Sequence, residues 1–320
     1  MIRFLIRRVV FGVFVLWLVS LGTFLLFFVV PGDPARSIAG RQATPETIAL
    51  IRERLGLDEP LAVQYWTFLK NLFRGDLGYS YYNNQPVTAL IAERIGPTAS
   101  LVIGGALLWL VIGVGVGILS ATHARSLLDR VTAGFVVAGI SMPTFVVGLM
   151  LLFVFNYLLS TVLGITFFPG GQYTPLEEDP ADWLRHMILP WITLCTVQAA
   201  IYTRLTRGSL LEVLGEDYIR TARAKGDGNR RVVVVHGLRA ALTPVVTQLG
   251  VDVGYMLGGV VVTESVFGLG GVGQAALQAI VNLDRPVVMG VVLLAAFFVV
   301  LASIVVDIAY SFLDPRVRLS

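Results

Sequence analysis

The chain has 320 residues, 56% of them hydrophobic and 14% charged, with a formal net charge of +3. Soluble domains carry roughly 25% charged residues, so a soluble globular chain is excluded, and so small a net charge gives no ground for nucleic-acid binding. A single cysteine, Cys195, rules out an internal disulfide or a thiolate cluster, and His123, His186 and His236 lie too far apart in sequence to suggest a zinc site or a triad.

Several apolar runs reach the ~20 residues that a helix needs to cross a bilayer. Backbone polar groups cannot go unpaired in lipid, so these runs are expected to be helices. The first runs from about Val9 to Val30, behind Arg3, Arg7 and Arg8. It is too long for a signal-peptide core and "VVPGDPA" is a poor cleavage site, so it reads as a retained anchor.

Residues 31–97 form a patterned segment outside the membrane. Thr44 is placed to cap a helix beginning at Pro45, with Ile48, Ile51 and Leu55 on one face and Gly56 as its stop. Asp58 is placed to cap the next, with Pro60 near its start, Leu61, Tyr65, Leu69 and Leu72 as its stripe, and Gly75 as its end. Pro86 to Ile95 reads as a third short helix. The segment is either a helical cap over the spans or a surface for an external partner, and the two do not exclude each other.

The second span covers about Thr98–Thr122, the third Val131–Leu159, the fourth Met187–Tyr202, the fifth Thr243–Val262 and the sixth Val287–Val306. Six spans put both termini on one side. Fifteen Lys and Arg residues fall on the side of the termini and of loop 204–242, against nine on the other. By the excess of basic residues in cytoplasmic loops, the termini, loop 204–242 and the tail 311–320 are cytoplasmic. Residues 98–310 then form a five-helix core.

Loop 204–242 carries eight basic and four acidic residues. Tyr218 is its only aromatic residue, which speaks against a nucleic-acid surface. Arg204, Arg207 and Arg239 are placed to snorkel to lipid headgroups. The middle of the loop reads differently: Asp217 as the cap of a short helix, Arg223 and Lys225 in its last turn, and Gly226 as a left-handed stop. Ala222 and Ala224 keep its side chains small, which suits insertion into a groove on another protein.

Asp252 lies midway along the fifth span. An unpaired carboxylate in lipid costs about 2.5–3.5 kcal/mol, so it faces the bundle or a partner. It either bonds a polar group on a neighbouring helix or lines a pathway together with Gln248, Tyr255 and Thr247. The outer loop 263–286 opens with "TESVFGLGGVGQ", rich in glycine. This implies irregular backbone at an outer gate, with Glu264 bracing the loop and Phe267, Gly271 and Gly273 as gate residues.

The chain resembles the permease subunits of ATP-binding-cassette importers of the dipeptide/oligopeptide type, nearly end to end. The resemblance rests on "RLGLDEPLAVQYWTFLKNLFRGDLGYS" (Arg54–Ser80), "SMPTF" (Ser141–Phe145) and "ILPWITL" (Ile188–Leu194). It continues through "DYIRTARAKG" with "HGLRAALTPVVTQLG", "ESVFGLGGVG", "DRPVVMG" and "VDIAYSFLDPRVR", in order and at the right spacing. Two departures stand out. Gly270 takes the place of the family's usual proline, which would loosen the outer loop, and "DGN" after Gly226 replaces a leucine-containing turn.

The resemblance implies an all-α type I importer permease in the bacterial cytoplasmic membrane. It implies a second homologous permease, two ATPase subunits that use ATP and Mg, and an extracytoplasmic substrate-binding protein. Asp217, Tyr218, Thr221, Ala222, Arg223, Ala224, Lys225 and Gly226 would couple the permease to the motor. No G-x-x-x-x-G-K-[S/T] occurs, so this chain is expected to be non-catalytic, binding no cofactor or metal of its own. The implied cargo is a di- or oligopeptide, with glutathione or a nickel chelate as alternatives. A stand-alone secondary transporter would show inverted repeats and more charges within the membrane.

Overall fold

The computed structural model describes residues 2–29, 34–39, 43–54, 56–165 and 167–313. Leu55 and the tail arginines Arg316 and Arg318 lie outside them. Among the described residues the regular structure is helical, with one isolated β-bridge between Tyr79 and Pro86. Among the described residues, five stretches are long and apolar enough to cross a membrane: Ile6–Leu26, Val87–Thr122, Thr144–Leu163, Pro180–Leu214 and Arg285–Val306. A sixth, Asn229–Ala241 followed by Thr243–Asp252, is bent by 44°.

The first span is α1 (Ile2–Val29). After α2 (Pro34–Ala39) comes α3 (Pro45–Arg54), capped as expected: the Thr47 amide donates to Thr44 Oγ1 at 3.3 Å. The Asp58 cap does not form. The N-cap of α4 (Leu61–Phe73) is Pro60, and Asp58 instead pairs with Arg52 at 3.5 Å. The expected third short helix is also absent as a separate element. Helix α5 (Val87–Thr122) runs unbroken from the outer segment through the second span. Pro97 removes only one donor, and the helix continues through it, with Pro97 and Thr98 both buried.

The third span is broken where the sequence reads Ser141-Met142-Pro143. Helix α6 (Leu127–Ser141) stops there because Met142 precedes a proline and takes an extended conformation. The chain resumes as α7 (Thr144–Leu151), a π-helical stretch Leu152–Leu158 and α8 (Leu159–Leu163). The fourth span is far longer than expected. Helix α9 (Pro180–Leu214) starts at Asp179, whose side chain accepts from the Ala181 and Asp182 amides, and takes in Arg204 and Arg207.

Most of the remaining loop 204–242 is therefore helical too: α10 (Asp217–Ala224), α11 (Asn229–Arg231), a π-helical stretch Val232–Gly237 and α12 (Leu238–Ala241). The fifth span continues as α13 (Thr243–Gly259) and α14 (Val261–Phe267). In the outer loop, irregular backbone is confined to a short glycine turn, and α15 (Val272–Val281) begins at once. Helix α16 (Arg285–Leu313) closes the fold against α1 and α13.

The centre of the fold is the pair α5 and α9, which run parallel. Trp191 Nε1 donates to the Ser100 carbonyl at 2.9 Å near one end of the contact. Further along, a Cβ on Gly113 would lie 2.6 Å from Tyr202 Cβ, and one on Gly117 2.6 Å from Thr206 Cβ. Lipid tails are as apolar as leucine, so helices associate in a membrane through close packing, which small residues permit. Trp109 and Tyr202 fill the layer between, fully buried with ring centroids 6.2 Å apart.

Gly117→Val is expected to push the two helices apart and to cost about 1–3 kcal/mol or more. A lowered Tm of the purified protein in detergent, with helix content unchanged, would show it.

Candidate functional site

Along α5 the structure gathers polar groups at two levels. Thr98 and Ser120 are separated by about 33 Å at 1.5 Å per residue, close to the thickness of a bilayer's hydrocarbon core.

At the first level sits Glu264, fully buried. Thr98 Oγ1 donates to Glu264 Oε1 at 2.6 Å, and the Gln274 amide donates to Oε2 at 2.8 Å. Thr98 Oγ1 in turn accepts from the Val272 amide at 2.9 Å. The glycine turn is thus wrapped around one carboxyl group, the bracing role expected of Glu264. A Cβ on Gly271 would meet Glu264 Oε1 at 2.3 Å, and one on Gly273 would meet Val261 Cγ2 at 2.8 Å, so both positions exist for close approach. Phe267 is buried against the main core, and its carbonyl accepts from the Gln172 amide at 2.9 Å.

Gly270 does not loosen this loop. Its φ is +72°, which proline cannot adopt, and its amide donates to Gln274 Oε1 at 2.9 Å. A second buried carboxylate, absent from the sequence reading, lies close by in the chain. Asp284 accepts from Ser80 Oγ at 2.5 Å and from the Tyr81 and Tyr82 amides at 3.2 and 3.3 Å. It ties the outer segment to the start of the last span.

At the second level is another cluster that the sequence did not reveal. Asp129 is buried and accepts from Arg207 at two atoms, Nε to Oδ1 at 2.7 Å and Nη2 to Oδ2 at 2.8 Å. Ser120 Oγ donates to it at 2.5 Å, and the Arg125 amide at 2.8 Å. The cluster joins α5, α6 and α9. Arg207 therefore does not snorkel to lipid, because a carboxylate in bidentate geometry is a better partner. Its guanidinium, with Ser120 and the Arg125 amide, holds the Asp129 carboxyl well below the usual carboxylate range.

Between the levels, Asp252 accepts from Tyr202 Oη at 2.8 Å and from Gln248 Nε2 at 2.9 Å. The Tyr202 bond, from α9, is the neighbouring-helix bond of the first of its two readings, and Gln248 bonds from one turn earlier on the same helix. Thr247 turns instead to its own helix, donating to the Thr243 carbonyl at 3.1 Å, and the side chain of Tyr255 lies outside the described residues. Gln248 also borders an open cleft of about 400 Å³ with Ile140, Arg204 and Ser209.

Beyond the second level lies the short helix α10. Its N-cap is Glu216, not Asp217, and no side chain caps it. Asp217 occupies the first turn, where its charge suits the helix dipole, and pairs with Arg220 at 3.1 Å. Ile219 and Ala222 are buried against Val232 and Leu214. The small side chain of Ala222 thus lets the helix seat closely on its own chain. Tyr218, Arg220, Thr221, Arg223, Ala224, Lys225 and Gly226 remain exposed. Gly226 ends the helix at φ +90°, as expected.

The "DGN" turn beyond is anchored. Asp227 Oδ2 lies 3.1 Å from His236 Nε2, and Asp227 Oδ1 lies 3.5 Å from Arg231 Nε. Among the described residues there is no group of three His, Cys, Asp or Glu side chains able to hold a metal ion.

Long apolar helices packed in parallel, with polar clusters about one bilayer thickness apart, define a polytopic membrane protein. A family model described as "Binding-protein-dependent transport system inner membrane component" matches residues 113–319, and a model of that family's N-terminal part matches residues 1–102. The chain belongs to this family of bacterial inner membrane transport components. It is 40% identical over 315 residues to a probable peptide ABC transporter permease protein, y4tP, of Sinorhizobium fredii, covering 98% of this chain and 99% of that one. It is 39% identical over 318 residues to the glutathione transport system permease protein GsiC of Escherichia coli, covering 99% of each. It shares its fold with a chain of the MetNI methionine ABC transporter in inward-facing crystal forms, at a TM-score of 0.55 and 18% identity, covering 70% of this chain and 96% of that one.

Two outcomes test these clusters. A carboxyl whose folded pKa lies below its unfolded value of about 4 adds stability above that pH and gives it up as pH falls towards the folded pKa. Asp129→Asn is therefore expected to lower Tm at neutral pH and to flatten the fall in Tm between about pH 5 and 3. Gly270→Pro is expected to destabilise this chain by roughly 1–3 kcal/mol, through the lost amide donor and the forbidden φ. Thermal unfolding checks both.

Proposed function

We propose that this chain forms half of the pathway of an ATP-driven importer for di- or oligopeptides. The observation that carries the reading is α10. It is fastened by two apolar residues, Ile219 and Ala222, and shows its remaining polar and basic residues to the outside. A helix so displayed is suited to a groove on a motor subunit. In this reading both termini and α10 are cytoplasmic, and the Glu264 loop and residues 31–97 face outwards. The chain pairs with a second permease. Two ATPase subunits bind and hydrolyse ATP with Mg, a substrate-binding protein delivers cargo from outside, and this chain itself is non-catalytic and binds no cofactor.

Asp217 to Gly226 then carry force between motor and membrane. The division of labour is now sharper: Ile219 and Ala222 transmit motion into the permease, while Tyr218, Arg220, Thr221, Arg223, Ala224 and Lys225 meet the motor. Asp252 acts as a brace between α13 and α9, and the pathway passes the open cleft at Gln248, with Tyr255 further along the same helix. Phe267, Gly271 and Gly273 belong to the outer gate that Glu264 holds in shape. Glutathione is the second cargo reading, favoured by the similarity to a glutathione permease along 99% of the chain.

Arg223→Glu and Tyr218→Ala, in the complete complex in liposomes, are expected to leave the permease folded. Peptide uptake should fall about 5-fold or more, the lower range of an allosteric coupling energy, while basal ATP hydrolysis persists. Undiminished uptake in both variants would overturn the assignment.

A further inference from the structure

Helix α4 carries more apolar surface than the protein covers. It has no buried residue at all. On a helical wheel Phe68, Leu61, Leu72, Tyr65, Leu69, Ala62, Phe73 and Trp66 form one continuous arc, and Lys70, Thr67, Asn71 and Gln64, with Val63 among them, form the opposite one. Only one edge of the apolar arc meets protein. Tyr65 and Phe68 lie 5.2 and 5.8 Å from the Phe24 ring, and Tyr65 Oη is 2.9 Å from Ser20 Oγ. The other edge is bare, with Trp66 69% and Phe73 88% exposed.

The depth of that contact indicates what covers the bare edge. Ser20 and Phe24 belong to the apolar span Ile6–Leu26. Ser20 is about 9 Å inside its Leu26 end, at 1.5 Å per residue. Helix α4 therefore touches α1 within the length of its apolar span and not beyond its end. Interfacial helices bury their apolar face about 5–10 Å into the headgroup and acyl boundary. The neighbouring surface of α1 is of the same kind, with Leu25 45% and Leu26 66% exposed.

We propose that α4 lies in the plane of the membrane interface, its Ala62–Trp66–Leu69–Phe73 edge against lipid acyl chains and its Thr67–Lys70–Asn71 edge towards headgroups and water. Tryptophan favours that level of a bilayer, and a lysine there extends its ammonium to the headgroups. The occupant is the lipid surface, continuous with the lipid-facing side of α1. The helix anchors the start of the outer segment at a fixed height.

The test uses the full complex in lipid bilayers, with Cys195→Ser removing the native thiol and a nitroxide attached to Trp66→Cys, Phe73→Cys or Thr67→Cys in turn. The labels at 66 and 73 are expected to be relaxed by oxygen and shielded from a water-soluble nickel chelate, with an accessibility ratio severalfold above that at 67. A label at 66 or 73 reached by the chelate as readily as the one at 67 overturns the proposal. So does a label shielded from both relaxants, because a protein partner then covers the face. Phe73 stands at the last position of the helix, so its variant reads depth even if replacing Trp66 disturbs the fold.

Discussion

The closeness of α5 to α9 is the constraint on which the rest of the fold depends. Inside a bilayer no solvent drives two apolar helices together, so contact must come from shape and from polar bonds with no other outlet. Glycines at 113 and 117 let the backbones approach, and Trp109 and Tyr202 fill the layer beside them. With that pair set, Thr98 and Ser120 are held one membrane thickness apart, and each organises a carboxylate. Glu264 and Asp129 come from different elements, yet each is bound to the same rod. The two membrane faces are joined by a single helix of 36 residues with no hinge in it other than a proline that leaves its course unbroken.

The exposed helix α10 is governed by the same economy of contacts. It is too short to be stable alone, and it keeps its form because Ile219 and Ala222 sit on Leu214 and Val232. The turn beyond it is held by Asp227 between Arg231 and His236. In the proposed coupling role, the packing route for a push on the exposed residues runs to α9 through Leu214 and to the following helical stretch through Val232. The alternative, a basic loop lying loosely on headgroups, does not fit an element fixed on both sides.

The spans were legible because length and apolarity are properties of a stretch by itself. Asp252 was legible because a carboxylate in an apolar run demands a partner, although the identity of that partner, Tyr202, was not. Errors arose where neighbours decide. Pro97 looked like a boundary, but a buried helix can continue past one missing donor. Pro143, in "SMPTF", does end a helix, yet the surrounding apolar run conceals the break. The reading of Arg207 as a lipid anchor failed because Asp129 is 78 residues away and nothing local announces it. The small size of Ala222 is plain from the sequence, but the face it serves is the chain's own core.

The Asp284 cluster has a bearing on how the protein is made. Ser80 and Asp284 are 204 residues apart in sequence, and one belongs to the outer segment while the other opens the last helix. As the chain emerges from the ribosome, the loop around Ser80 to Tyr82 has no carboxylate to receive its donors until nearly all of the protein has been inserted. The outer segment must wait, its amides satisfied by water, and it locks only when α16 arrives. That bond is thus among the last long-range contacts the growing chain can make.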